Sequence, residues 1–252
     1  MKSGDDFLIV KDLTVTFVRW GQAVNALRGV NLNVPQGQWL ILVGPNGSGK
    51  STLLKAIGGR IQPDQGQALL KGKSITALSG DSLANEVFLV HQDPLLGTAH
   101  TLTVFENLFV ADFQAQSDHE SKKLLAIKYH DLLKPLGLSE RMKQPVKTLS
   151  GGERQLMAVL IARLRPSSVI LLDEPLAALD PGKAELSIGL INELNGQGKT
   201  LIQVTHDPEL AVTAGDRTVA LDQGRLVYDE MATARSPVAI RAHWYPYPIE
   251  SR

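Results

Sequence analysis

The chain has 252 residues, 43% of them hydrophobic, with 26 Lys+Arg against 26 Asp+Glu, a formal net charge of zero and no cysteine. This composition excludes general disorder and a uniformly basic nucleic-acid binder, so no nucleic acid is expected as partner. The missing cysteines exclude disulfides, cysteine-ligated clusters and a cysteine nucleophile.

In chain order, the polar start from Met1 to Asp6 lacks the basic-then-apolar order of an export signal. No run reaches the ~18 apolar residues of a membrane-spanning helix. A soluble, non-exported protein is expected. Strands are expected at 7–10 and 13–17, rich in β-branched and aromatic residues, and at 30–34, where apolar and polar residues alternate. Pro35-Gln36-Gly37-Gln38 reads as a turn. Trp39–Val43 is continuously apolar, the pattern of a strand buried on both faces of a parallel sheet. It runs into a glycine-rich loop and a helix-like stretch at 53–57, ended by Gly58-Gly59. From 93 to about 149 the pattern turns helical, with Leu124, Leu125, Ile127, Leu132, Leu133 and Leu136 expected on one face. This reads as a helical lobe inserted into an α/β core. Then follow a helix over Gly151–Leu164, a strand at 169–172, a helix over about 182–195, a strand at 201–204 and closing strands near 218–221 and 226–228. The alternation predicts a parallel or mixed sheet with helices on its faces. The expected division is one domain over 7–230, its helical lobe at 93–149, and a tail over 231–252 whose Trp244, Tyr245 and Tyr247 are read as packing on the core or contacting a partner.

The strongest motif is Gly44-Pro45-Asn46-Gly47-Ser48-Gly49-Lys50-Ser51-Thr52, which fits G-x-x-x-x-G-K-[ST] between a buried-type strand and a helix. Gly44, Gly47 and Gly49 let the backbone wrap closely, so that the N–H groups of residues such as Asn46 and Ser48 face phosphate oxygens. The helix that follows presents its N-terminal dipole to the same anion. Lys50 is expected on the β- and γ-phosphates, Ser51 on Mg2+ and Thr52 near the α-phosphate. In Val169-Ile170-Leu171-Leu172-Asp173-Glu174, four apolar residues deliver a carboxylate to the carboxyl end of a buried strand, where open α/β sheets bind ligands. Asp173 is expected to hold Mg2+ and Glu174 to polarise the attacking water. Leu149-Ser150-Gly151-Gly152-Glu153 is a second anion cradle, a hydroxyl and free N–H groups at a helix start. One nucleotide needs one phosphate loop, so a second cradle implies a second anion or a second subunit.

These motifs together resemble the nucleotide-binding subunit of an ABC transporter, over about 7–229. The resemblance implies an α/β P-loop NTPase core with an N-terminal antiparallel β subdomain and an inserted α-helical subdomain. It implies an ATPase that uses ATP and Mg2+. It makes Gln92 the glutamine that joins nucleotide and helical lobe and also meets Mg2+. Ala178, Leu179 and Asp180 match the family's D-loop, which puts Asp180 among the nucleotide-binding residues. His206 becomes the switch histidine, and Phe17 the aromatic that stacks on adenine, with Trp20 as a competing candidate. Two subunits would pair head-to-tail, with the ATP held by one copy meeting Ser150, Gly151 and Gly152 of the other.

The stretch from Asp93 through Leu108 resembles importer ATPases whose permeases are similar to branched-chain amino-acid permeases. The resemblance therefore implies a bacterial importer, a separate membrane permease docked at 92–113, an extracytoplasmic substrate-binding protein, and a place on the cytoplasmic face of the inner membrane. The family also contains soluble ATPases of iron–sulfur assembly and translation, which are the competing expectation.

Overall fold

The computed structural model describes residues 7–19, 21–78, 80–112, 121–177 and 179–234. Trp20, Ala178, Phe113 and the aromatic residues of the tail lie outside them. Among the described residues, no helix is long and apolar enough to cross a membrane.

Two sheets carry the fold. The first is antiparallel, in the order β2 (Gln22–Val34), β1 (Leu8–Arg19), β4 (Gln65–Leu70), β5 (Lys73–Ser74). The two strands expected at 7–10 and 13–17 are one strand with a bulge. At the bulge Asp12 takes φ 48°, and Asn31 clasps it through a bond to its backbone N–H at 3.0 Å and one to its carboxylate at 2.8 Å.

The second sheet runs β10 (Arg225–Met231), β9 (Arg217–Asp222), β3 (Trp39–Val43), β8 (Thr200–Val204), β7 (Val169–Asp173), β6 (Val87–Val90). All its pairs are parallel except β9 with β10. Every residue of β3, β7 and β8 is buried, because both faces of this sheet are covered. Alternation along each strand divides the core. Trp39, Ile41, Val43, Ile170, Leu172 and Leu201 face the helical side, whereas Leu40, Leu42, Val169, Leu171, Ile202 and Val204 face β1, β2 and the first helix, α1 (Lys50–Ile57). Strand β10 ends at Met231, and the backbone N–H of Ala232 donates to Asp216 O at 2.7 Å.

Helix α2 (Gly80–Glu86) precedes β6 and packs Leu83 against the half of the core that holds β1, β2 and α1, whereas the helical side holds α3 (Val104–Ala111), α4 (Lys122–Leu133), α5 (Gly151–Leu164) and α6 (Pro181–Gly196); the short α7 (Pro208–Thr213) precedes β9. Residues 155–162 of α5 are buried without interruption, so this helix is the central rod of the lobe and shows no polar face there. The single apolar face expected for 124–136 is not what forms. Leu125, Tyr129, Leu133 and Leu136 are buried, while Leu124 and Ile127 are more than half exposed. Tyr129 takes the place on the buried face that a leucine count overlooks. Its ring meets Phe105 edge-on at 5.3 Å and its hydroxyl donates to the buried Asp112 carboxylate at 3.1 Å.

Candidate functional site

The phosphate loop joins β3 to α1 where the buried strand ends. Gly44 takes φ 144°, and a Cβ there would lie 2.0 Å from Leu221 O. Gly49 takes φ 108°, and a Cβ would lie 2.4 Å from Ala26 O. Both positions therefore exclude any side chain, and the loop is pressed against β9 and β2. Ser48 is buried, and its Oγ has no hydrogen-bond partner among the described residues. Lys50 is buried and its ammonium donates to Gly44 O at 2.8 Å and Pro45 O at 2.9 Å. Burial pushes the Lys50 pKa down, opposed by the charges of Glu174 and Asp173.

The carboxyl end of β7 supplies two acids of different character. Asp173 is buried and accepts from the Ser51 hydroxyl at 3.1 Å. Burial raises its pKa, and the Ser51 bond works against that rise. Glu174 follows in the left-handed region at φ 52°, a conformation that costs a non-glycine residue about 1–2 kcal/mol. That turn lifts its carboxylate out of the strand and over the loop. There Oε1 meets His206 Nε2 at 2.5 Å and Oε2 accepts from Gln92 Nε2 at 3.2 Å. Gln92 stands after β6 and His206 after β8, so three neighbouring strands deliver one hydrogen-bonded trio.

Phe17, Asn46, Gly47, Gly49, Lys50, Ser51, Thr52, Gln92, Glu174 and His206 share one open cavity of about 630 Å3, a size suited to a nucleotide. Phe17 forms one wall of its outer end. Val24, Asn25 and Ala26, across the β1–β2 hairpin, complete it. Those three residues carry no motif, and sequence reading missed them. Only the pairing of Phe17 with Val24 brings them to the site.

Ser150, Gly151, Gly152 and Asp180 do not line this cavity. Ser150 caps α5 in a reciprocal capping box: its N–H donates to Glu153 Oε2 at 2.6 Å, and its Oγ accepts from the Glu153 N–H at 3.3 Å. The bond from the Ser150 backbone holds the Glu153 carboxyl below its ordinary pKa. A Cβ on Gly151 would meet nothing within 4 Å, so that turn is open on its outer side. Asp180 caps α6 in turn, accepting from the Lys183 N–H at 3.0 Å.

The residues present fit a nucleotide and a hard cation. The two glycines that admit no Cβ, the buried ammonium and the orphaned Ser48 hydroxyl make an anion cradle. The Ser51 hydroxyl and Asp173 carboxylate are oxygen donors of the kind Mg2+ takes, alongside waters and phosphate oxygens. Among the described residues no group of three or more His, Asp or Glu side chains forms a metal site without such help.

The profile of the ABC transporter family matches residues 27–177. Similar curated proteins include the macrolide export ATP-binding/permease proteins MacB of Vibrio parahaemolyticus and Wolinella succinogenes, each 34% identical, over 232 and 242 residues. Those alignments cover 90% and 92% of this chain but 34% and 37% of the relatives, so the chain spans about a third of their length. Among solved structures, an ATP-binding cassette captured as a post-hydrolysis dimer with ADP and Pi has a TM-score of 0.78 at 28% identity, covering 91% of this chain and all of that one. A dimeric bacterial ABC transporter cassette scores 0.76, also at 28% identity, with the same coverage of both chains.

Proposed function

Since this chain belongs to the ABC transporter family as its ATP-binding ATPase cassette, we propose that it energises a separate membrane permease by head-to-tail closure of two copies on ATP. The observation that carries this reading is the Gln92–Glu174–His206 trio standing over the phosphate loop. Lys50 and the loop N–H groups hold the phosphates, and Phe17 holds the base. Ser51 and Asp173, with Gln92 beside them, would hold Mg2+, which would supply charge neutralisation on the transferring phosphate. Glu174 orients and deprotonates the attacking water. His206 keeps that carboxylate aimed and contacts the γ-phosphate. Catalysis of this kind is positioning and charge neutralisation. The second cradle, at 150–152, and Asp180 serve the nucleotide of the other copy, which accounts for their place outside the cavity. ATP then joins the copies and hydrolysis releases them.

Gln92 leads into the helical lobe, so residues 92–112 carry the nucleotide state to the permease. The cassette then sits on the cytoplasmic face of the inner membrane. For direction we propose import, on the resemblance of the stretch from Asp93 through Leu108, with an extracytoplasmic binding protein in the same system. Export is the second reading, favoured by the names of the MacB relatives. Glu174→Gln tests the catalytic assignment: ATP binding is retained and hydrolysis falls to background. Normal turnover in that variant removes Glu174 from the role of base. Co-purification with the permease, followed by uptake and efflux assays in vesicles, decides the direction.

A further inference from the structure

Asp180 does more than cap α6. While its Oδ1 accepts the Lys183 N–H, its Oδ2 pairs with the Lys183 ammonium at 2.5 Å. The cap does not require this ion pair, and the side chain that makes it reaches a second element. A Cβ placed on Gly152 would lie 2.6 Å from Lys183 Cδ, 3.4 Å from Lys183 Cε and 3.2 Å from Leu179 Cδ2. The methylene stem of Lys183 thus lies against the bare Gly152 backbone, in space that a Cβ there would enter. One side chain touches both turns, Asp180 with its head and the first turn of α5 with its stem. The Asp180 carboxylate, and more weakly the charge of Glu153, raise the Lys183 pKa, so the ammonium stays charged at neutral pH.

Nothing in the cavity of this copy uses the link, because the two turns that Lys183 joins lie outside it. They are the two turns that the proposed function sets against the nucleotide of the other copy. We propose that Lys183 is a positioning residue for ATP-driven closure. It holds the Asp180 turn to the 150–152 turn, so that both reach the other copy's phosphates as one unit. It also offsets the Asp180 and Glu153 carboxylates, which would otherwise repel those phosphates. The inference rests on the two-copy reading above.

The test uses the full chain carrying Glu174→Gln, with ATP and no Mg2+. Dimerisation is measured by sedimentation equilibrium for that parent, for added Lys183→Met, which keeps the stem, and for added Lys183→Arg, which keeps the charge. An exposed ion pair changes an equilibrium by up to about 5-fold. A symmetric dimer holds two, so Lys183→Met weakens dimerisation roughly 2- to 25-fold. Lys183→Arg restores it, and ATP affinity of the dilute monomer and the Tm stay at parent values in both. Equal dimerisation of the Met variant and the parent overturns the inference. So does a loss shared by the Arg variant, or one that appears already in monomer affinity or Tm. If the parent does not dimerise on ATP, the two-copy reading falls, and this inference falls with it.

Discussion

Lys50→Met separates nucleotide binding from stability. Lys50 is 6% exposed, and its ammonium donates to the loop carbonyls of Gly44 and Pro45. Methionine fills nearly the same space. In the free chain the change removes a buried charge, whose desolvation is unfavourable, and leaves two carbonyls without that donor. These effects oppose one another at about 1–3 kcal/mol each. The Tm therefore stays within about 5 °C of the parent. Binding has no such offset. A charge-assisted bond contributes about 1.5–3 kcal/mol, and nothing else in the loop replaces it. A loss of about 3 kcal/mol raises the Kd for ATP roughly 100-fold. Titration with a fluorescent ATP analogue, paired with melts of the free variant, reads both quantities. A Kd within about threefold of the parent refutes the phosphate-loop assignment. A large fall in Tm refutes the claim that the two local effects cancel.

Phe17→Ala removes the aromatic wall of the cavity's outer end, and base stacking of about 1–3 kcal/mol goes with it. ATP affinity falls about 5- to 100-fold while inorganic tripolyphosphate binds as before; equal losses for both ligands contradict the platform role. Gln203 is fully buried on β8, and neither its Oε1 nor its Nε2 has a hydrogen-bond partner among the described residues. Gln203→Leu is expected to stabilise the chain by about 1–3 kcal/mol in urea unfolding, and a loss of stability contradicts this account of the site. Burial lowers the Lys199 pKa from 10.5 to about 8, its ammonium donating to Ala162 O and Arg165 O at the end of α5. Between those values the unfolded chain holds a proton that the folded chain has released, so stability from this group rises with pH across the window. Lys199→Met flattens that rise between pH 7.5 and 10, and an unchanged pH slope contradicts it.

Much of the fold is legible because burial and capping leave local marks. Trp39–Val43 reads correctly as a strand because a run covered on both faces has no polar residue to interrupt it. Gly151–Leu164 reads correctly because Ser150 and Glu153 mark its start. The phosphate loop is legible because close backbone approach demands glycine at fixed positions. Other features arise only in the folded chain. The bulge at Asp12 is set by Asn31, 19 residues away. Strand β4 opens on Gln65-Gly66-Gln67, which no apolar alternation announces. Leu124 and Ile127 obey helical spacing yet face outward, because the face that α4 buries is the one carrying Leu125, Tyr129 and Leu133. Val24, Asn25 and Ala26 become walls of the cavity through hairpin register, and Lys183 becomes a link through the bare backbone of Gly152. None of these has a spacing rule that a linear reading could use.

The most direct test of the two-copy mechanism is the mass of Glu174→Gln in solution, by light scattering after gel filtration, with and without Mg-free ATP. The account predicts a monomer without nucleotide and a dimer with it, because the 150–152 cradle and Asp180 complete the site of another copy. A monomer that binds ATP and stays a monomer contradicts closure between identical copies.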